Sequence, residues 1–497
     1  MQSSNPRALS QSGRMSFLLK DSVIYGGAAA VSKSLSIIMF PLIARHFSPA
    51  EYGIIDLFGV VATLIGFLVV FGQDSAVARY FYEYEETDQR QQFISQSILF
   101  QLALSFLMVA GLLLWASPIS TLLVDEPNVS LFLQIVIMQA PLYFLLNFSQ
   151  NLLKWTFQRN QFLFISLGST CVRVLLVLLG IYYFDIGVAG FFWAGFINYA
   201  IFGLFGLWLV RKWLIIPRNL CFLKELLVYA FPLGMICTIA AFVPMLERWL
   251  IAHLLGLEDL GTYAVGIRIS MLVMLFVGAF QTAWGPFSMS LYKQSNAIET
   301  YNLVLKGFVL VIVPVALLLG AVSLPVISIL ATEQYAAGAV VVFPLAMAFA
   351  IQATGWITEI GIGISKRSYL QLYAYSAYVI FTVIAIYALA LMFGLVGVAI
   401  GVIVGHLAKM FIASWLAQTV YPLDWCFRIV FAYFASAFVL GSIGLFLHVQ
   451  ISPMLGSAAY FIFSITVFAL GIFVLFSEKE RGRILSQIGI KIGKRSV

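Results

Sequence analysis

The chain has 497 residues, of which 62% are hydrophobic and only 10% charged, with a formal net charge of +7 and a mean hydropathy of +1.00. Too little polar surface is left to cover a soluble globule of this size, so the composition excludes a soluble domain and predicts an all-α polytopic membrane protein. The positive balance does not point to nucleic acid, because most Lys and Arg fall in short links between apolar runs, where membrane orientation accounts for them.

In chain order, residues 1–17 read as a polar cytoplasmic tail with Arg7 and Arg14, retained because the apolar stretch after it runs well past a signal-peptide core without a small-residue cleavage site. Fourteen spans are then predicted: 18–45, 53–72, 92–116, 129–152, 161–184, 187–210, 226–254, 260–288, 303–324, 338–362, 370–393, 396–418, 428–448 and 455–476. They are apolar all round and about 20 to 28 residues long, enough to cross ~30 Å of hydrocarbon as helices, whereas barrel strands would be shorter and alternating. A basic tail, 477–497, closes the chain.

The connections sort by charge. Arg79 and Arg90, Lys154 and Arg159, Arg211 to Lys224, Lys293 and Lys306, Lys366 and Arg367, and Lys409 and Arg428 are counted on the side of the two tails. The opposite links have only Arg45 at their rim. This alternation places both termini in the cytoplasm, since one miscounted span would invert every later loop.

An internal repeat runs at an offset of about 204 to 210 residues. Leu19-Lys20-Asp21 through Tyr25 echoes Leu223-Lys224-Glu225 through Tyr229, Leu42-Ile43-Ala44 echoes Leu250-Ile251-Ala252, and Gly187-Val188-Ala189 echoes Gly397-Val398-Ala399. The offset covers six spans, an even number, so the halves keep the same orientation: an N-lobe at 18–212, a C-lobe at 213–420, and two additional helices at 421–476.

Five cations sit in or beside spans: Lys33, Arg45, Arg173, Arg248 and Arg268. A charge at mid-bilayer costs about 2.5 to 3.5 kcal/mol and persists where it faces a wet cavity or a counter-charge. Cations from both lobes predict a basic cavity for phosphate or diphosphate, with snorkelling or ion pairing as the plainer reading, above all for Arg45 and Arg248 near span ends. Asp56, Asp74, Glu247 and Glu359 are embedded acids that could couple transport to a proton or a sodium ion. For Glu359 a structural pair with an embedded cation is favoured, and Glu247 and Arg248, as sequence neighbours on a helix, are not expected to pair. Asp21 and Glu225 place negative charge at helix starts. Pro41, Pro141, Pro232, Pro244, Pro286, Pro314 and Pro344 interrupt spans, and Trp284, Trp356 and Tyr263 fit packing better than sugar stacking.

Cys171, Cys221, Cys237 and Cys426 show no CxxC spacing, so neither structural disulfides nor zinc are expected, and His46 with His253 are too few for a metal. No Walker loop, dinucleotide fingerprint or nucleophile elbow occurs, and no cofactor is expected. The outer links are also too short to hold an extramembrane catalytic domain, which argues against an enzyme.

Two stretches carry a family resemblance. Phe40-Pro41-Leu42 through Arg45, with Ser48-Pro49-Ala50-Glu51-Tyr52-Gly53 and Asp56-Leu57, resembles the opening of bacterial polysaccharide-unit flippases of the Wzx type, in the multidrug/oligosaccharidyl-lipid/polysaccharide exporter superfamily. Glu247-Arg248, Leu255 to Glu258, Leu260 to Ala264 and Gln281 to Phe287 are similar to the second-lobe signature of that family. The resemblance implies a two-lobe helical transporter of the bacterial inner membrane. It would move undecaprenyl-diphosphate-linked oligosaccharide from the inner to the outer leaflet, with membrane lipids and other polysaccharide-assembly proteins as partners. A lipid II flippase and a cation-coupled multidrug exporter of the same superfamily are the alternatives, and a membrane glycan polymerase or ligase is a more distant one.

Overall fold

The computed structural model describes the backbone of residues 11–84, 86–126, 129–294 and 296–487, and the side chains among them except 11–23, 29, 33, 36–37 and 483–487. Every predicted span carries a helix, and no strand occurs among the described residues. Two compact units result, Met1–His253 and Leu254–Val497.

The first unit holds α1 (Gln11–Ala44), α2 (Pro49–Val70), α3 (Gln73–Glu83), α4 (Thr87–Leu114), α5 (Ala116–Leu123), α6 (Val129–Met138), α7 (Ala140–Trp155), α8 (Arg159–Leu178), α9 (Val188–Val210) and α10 (Cys221–Leu254). α1 begins at Gln11, inside the stretch expected as a polar tail. The repeat puts α10 at the head of the second lobe, whereas compactness groups it with α1–α9. The motif Ser48-Pro49-Ala50-Glu51 is a helix-starting device: the Glu51 carboxylate accepts from the Ser48 backbone N–H at 2.9 Å and its hydroxyl at 2.8 Å, the Glu51 N–H donates back to Ser48 Oγ, and Pro49 opens the first turn.

Between α2 and α3 the chain turns through two left-handed residues, Phe71 (φ 39°) and Gly72 (φ 73°). A side chain at Gly72 would lie 2.6 Å from the Ala230 carbonyl and 2.7 Å from the Gly234 nitrogen, so glycine is required both by the backbone and by the crossing α10. Near the start of α10, Glu225 accepts from the Tyr84 hydroxyl at 3.3 Å. The Tyr84 phenol is pushed up to about 12, first by partial burial and then by the Glu225 charge.

The second unit holds α11 (Leu257–Ser270), α12 (Val273–Leu291), α13 (Ala297–Leu330), α14 (Ala339–Thr358), α15 (Ile360–Ile364), α16 (Tyr369–Val420), α17 (Phe427–Phe446), α18 (Pro453–Leu475) and α19 (Glu478–Gln487). Its core is α14, apolar on every face and packed between α13 and α16. Side-chain hydroxyls tie its helices together: Ser270 to the Val342 carbonyl at 3.0 Å, Ser464 to Pro314 at 2.8 Å and Tyr433 to Val467 at 3.1 Å.

Eleven helices among the described residues are long and apolar enough to cross a membrane, and twelve if the α11–α12 pair, bent by 45°, is one span. α16 is a single run of 52 residues broken at Gly394 (φ 55°, ψ −136°), so it contains two of the predicted spans. The chain is therefore a multi-pass helical membrane protein, and the predicted fourteen spans are compatible with its helices.

α19 is latched to α13. Lys306 Nζ donates to both oxygens of Glu480, at 2.9 and 3.1 Å, and Glu480 also accepts from the Ser477 N–H and hydroxyl. Burial alone would raise the Glu480 carboxyl, but the hydrogen bonds from Lys306 and Ser477 outweigh it and hold the group below its ordinary range. A depressed folded pKa means that the contribution is present above the unfolded value of about 4.3 and is lost as pH falls through the lower folded value. Docking of α19 is thus expected to hold at neutral pH and to loosen only in strong acid. Glu480→Gln should weaken it at neutral pH by about 1–3 kcal/mol, read as faster hydrogen exchange of Glu478–Gln487; exchange as slow as in the wild type would contradict the latch.

Candidate functional site

The sequence singles out basic side chains in apolar helices, and each unit holds one that is half-buried: Arg173 on α8 and Arg268 in the last turn of α11. Arg173 donates from Nη1 to the Tyr199 hydroxyl of α9 at 2.7 Å, and its guanidinium lies 5.5 Å from the Tyr199 ring centre and 5.8 Å from that of Phe191. Its Nε is buried without a hydrogen-bond partner, and no ion pair to Arg173 occurs among the described residues. Gly195 leaves room for the approach: a side chain there would lie 3.1 Å from Gln139 Oε1 and 3.9 Å from Arg173 Nη2. Beyond Tyr199, the Tyr143 ring stands edge-on at 5.4 Å and interacts with Asn147. A guanidinium with donors to spare, flanked by hydroxyls and an amide, can receive an oxyanion.

Arg248 is arranged differently. It is 3% exposed, with Nε 3.1 Å from Asp56 Oδ2 and Nη1 3.1 Å from Glu247 Oε2. The expectation that neighbouring Glu247 and Arg248 do not pair is corrected. Although their Cβ atoms diverge, the long arginine turns its fork so that one edge meets its neighbour and the other meets Asp56 of α2. Two carboxylates thus already occupy the Arg248 fork, and the first unit is braced by a buried triad linking α2 to α10.

Of the remaining predicted residues, Arg45 is exposed just after α1, consistent with a rim position. Lys33 lies on α1, but its side chain is outside the described residues, as are residues 1–10 and 488–497 of the two tails. Asp74 opens α3, where its Oδ1 accepts the Ser75 N–H at 2.7 Å. Glu359 is buried at the end of α14. Trp284 and Tyr263 are buried, Trp284 against Phe280 and Tyr301.

One cluster lay beyond the sequence reading. Lys409, counted there with the charged connections, is 3% exposed inside α16, and its positive charge acts on Glu359. Lys409 Nζ stands 4.2 Å over the Tyr375 ring, and one turn earlier His406 Nε2 lies 3.3 Å from the Tyr378 hydroxyl. The pairs 375/378 and 406/409 are each spaced three apart, so each presents one face, and the break at Gly394 lets the two halves of α16 meet. The signal was available: Lys409 falls inside the predicted span 396–418. Tyr199, Tyr143 and Gln139 around Arg173 had no local signal, because they gather from different helices.

Comparison with known proteins follows the same lines. Over 94% of this chain and 100% of the other, the fold superposes on a lipid II flippase MurJ in an inward closed conformation, with a TM-score of 0.68 at 14% identity. An inward-facing multidrug resistance MATE family transporter of the MOP superfamily gives a TM-score of 0.60 at 16% identity, covering 78% of this chain and 94% of that one. The fold is therefore shared with these two transporter structures.

In sequence, the succinoglycan biosynthesis transport protein ExoT of Rhizobium meliloti is 25% identical over 312 residues, 61% of this chain and 60% of that protein. An uncharacterized membrane protein of Haemophilus influenzae is 22% identical over 284 residues, 56% of this chain and 67% of its own length. This chain thus spans about 60% of the length of the succinoglycan protein it matches. The family model described as polysaccharide biosynthesis protein matches residues 42–340, more than half of the sequence, and the chain belongs to that family.

Proposed function

We propose that this protein is a flippase that moves undecaprenyl-diphosphate-linked oligosaccharide from the inner to the outer leaflet of the bacterial cytoplasmic membrane, with both termini in the cytoplasm. The observation that carries the reading is Arg173: a half-buried guanidinium in mid-helix, without a carboxylate partner among the described residues and bordered by hydroxyl and amide groups. Such a group matches a lipid diphosphate and would repel the cationic compounds that a drug exporter carries. Membership of a polysaccharide biosynthesis family and likeness to a succinoglycan transport protein supply the glycan.

In this proposal Arg173 of the first unit holds the diphosphate, together with Lys33, Arg45 guides it at the rim, and Arg268 of the second unit is a further candidate contact for the lipid-linked substrate. Arg248 serves by bracing α2 against α10 rather than by touching substrate, and Glu359, on which the charge of buried Lys409 acts, is the candidate for proton exchange. The two six-span lobes of the repeat would alternate access, sparing the sugar hydroxyls a passage through hydrocarbon. Lipid-linked glycan is expected to accumulate in the inner leaflet of cells lacking the protein, shielded from an impermeant reagent, and to reappear outside on re-expression. Normal leaflet distribution with altered drug sensitivity would instead assign a drug exporter.

A further inference from the structure

We propose that α19 and the basic residues after it form a membrane-surface element that binds anionic phospholipid headgroups on its own side of the bilayer. The observation that carries this is the return of α19 onto its membrane helix. α18 ends at Leu475, Phe476 is extended and Ser477 caps α19 from Glu478, so the chain leaves the helix within two residues. The Arg481 guanidinium then lies 4.9 Å over the Phe473 ring. Phe473 is 66% exposed on a helix long and apolar enough to cross a membrane, so its open face meets lipid. Arg481 is thereby held where acyl chains give way to headgroups, its stem on the ring and its N–H fork within reach of phosphate oxygens. Lys306 fixes the same turn from α13 through Glu480.

Charge and pattern name the partner. Residues 478–497 hold six cations, Lys479, Arg481, Arg483, Lys491, Lys494 and Arg495, against Glu478 and Glu480, and Lys306 already neutralises Glu480. No ion pair to Lys479 or Arg481 occurs among the described residues. Isoleucine or leucine stands at 484, 485, 488, 490 and 492 among these charges, and positions 484 and 485 follow Arg481 at the spacing of one helix face. Membrane orientation needs the cations alone. Apolar residues interleaved with them fit a segment lying in the interface, where apolar burial adds to attraction by anionic lipid. An acidic protein partner would use the charges but gives no reason for Arg481 to cover a lipid-facing ring.

Hydrogen exchange of the full-length protein in nanodiscs tests this, comparing phosphatidylcholine alone with a mixture of phosphatidylcholine and phosphatidylglycerol. Exchange of 478–487 should be at least about fivefold slower in the mixture, the effect of roughly one basic side chain at an anionic surface, and high salt should remove the difference. The variant carrying Lys479→Gln, Arg481→Gln and Arg483→Gln should exchange alike in both lipids. A second variant, Lys491→Gln with Lys494→Gln and Arg495→Gln, lies outside α19 and should shrink the difference while leaving the Lys306 latch intact, so the test stands even if the first disturbs docking. Equal exchange of the wild type in the two lipids, or a lipid effect that survives both sets of substitutions, would overturn the proposal. Slowing by soluble polyglutamate in phosphatidylcholine alone, with none from phosphatidylglycerol, would assign the segment to an acidic protein instead.

Discussion

Arg248→Met is expected to destabilise the protein by about 3–5 kcal/mol, because it strands the Asp56 and Glu247 carboxylates in a buried setting. The magnitude follows from burial: the Arg248 and Glu247 side chains are each 4% exposed and that of Asp56 is 11% exposed, so water cannot replace the lost partner. Replacing all three together, as Arg248→Met with Asp56→Leu and Glu247→Met, should recover most of the loss, since an ion cluster exchanged for apolar side chains is often nearly neutral. Denaturant unfolding of the single and triple variants measures both. A single variant as stable as the wild type but unable to transport would move Arg248 from the brace to the substrate.

Arg173→Met should do the reverse. The fold should survive, since the side chain gives up one hydrogen bond to Tyr199 and its ring contacts, while transport of a diphosphate lipid should drop by about 10- to 100-fold. Arg173→Lys keeps the charge but not the planar fork and should recover only part of the rate. Tyr199→Phe removes the hydroxyl that aims the guanidinium and should cost a few-fold. A wild-type rate in Arg173→Met would remove this residue from the site.

What was legible in the sequence is what single helices dictate. Apolar run length placed a helix on every span, but α2 starts at Pro49, ahead of the span expected from 53, because the polar Ser48 and Glu51 that cap it do not register as an apolar run. Where two helices decide, the sequence fell short. Glu247 and Arg248 pair because Asp56 of another helix holds the fork in place, a constraint no neighbour rule contains. Lys409 resembles a loop cation until Glu359 and the rings of Tyr375 and Tyr378 surround its helix. The bend between α11 and α12 falls at Met271 and Leu272, where neither proline nor glycine marks it.

The most direct test of the account is translocation by the purified protein in liposomes carrying fluorescent undecaprenyl-diphosphate sugar, scored as lipid lost to an impermeant reagent from one leaflet. Protein-dependent translocation that fails in Arg173→Met and Arg268→Met, while a neutral lipid bearing the same sugar is not moved, is the expected result. No translocation by folded protein under either an imposed potential or a sodium gradient, or equal movement of the neutral lipid, would contradict a flippase that grips its substrate by the diphosphate.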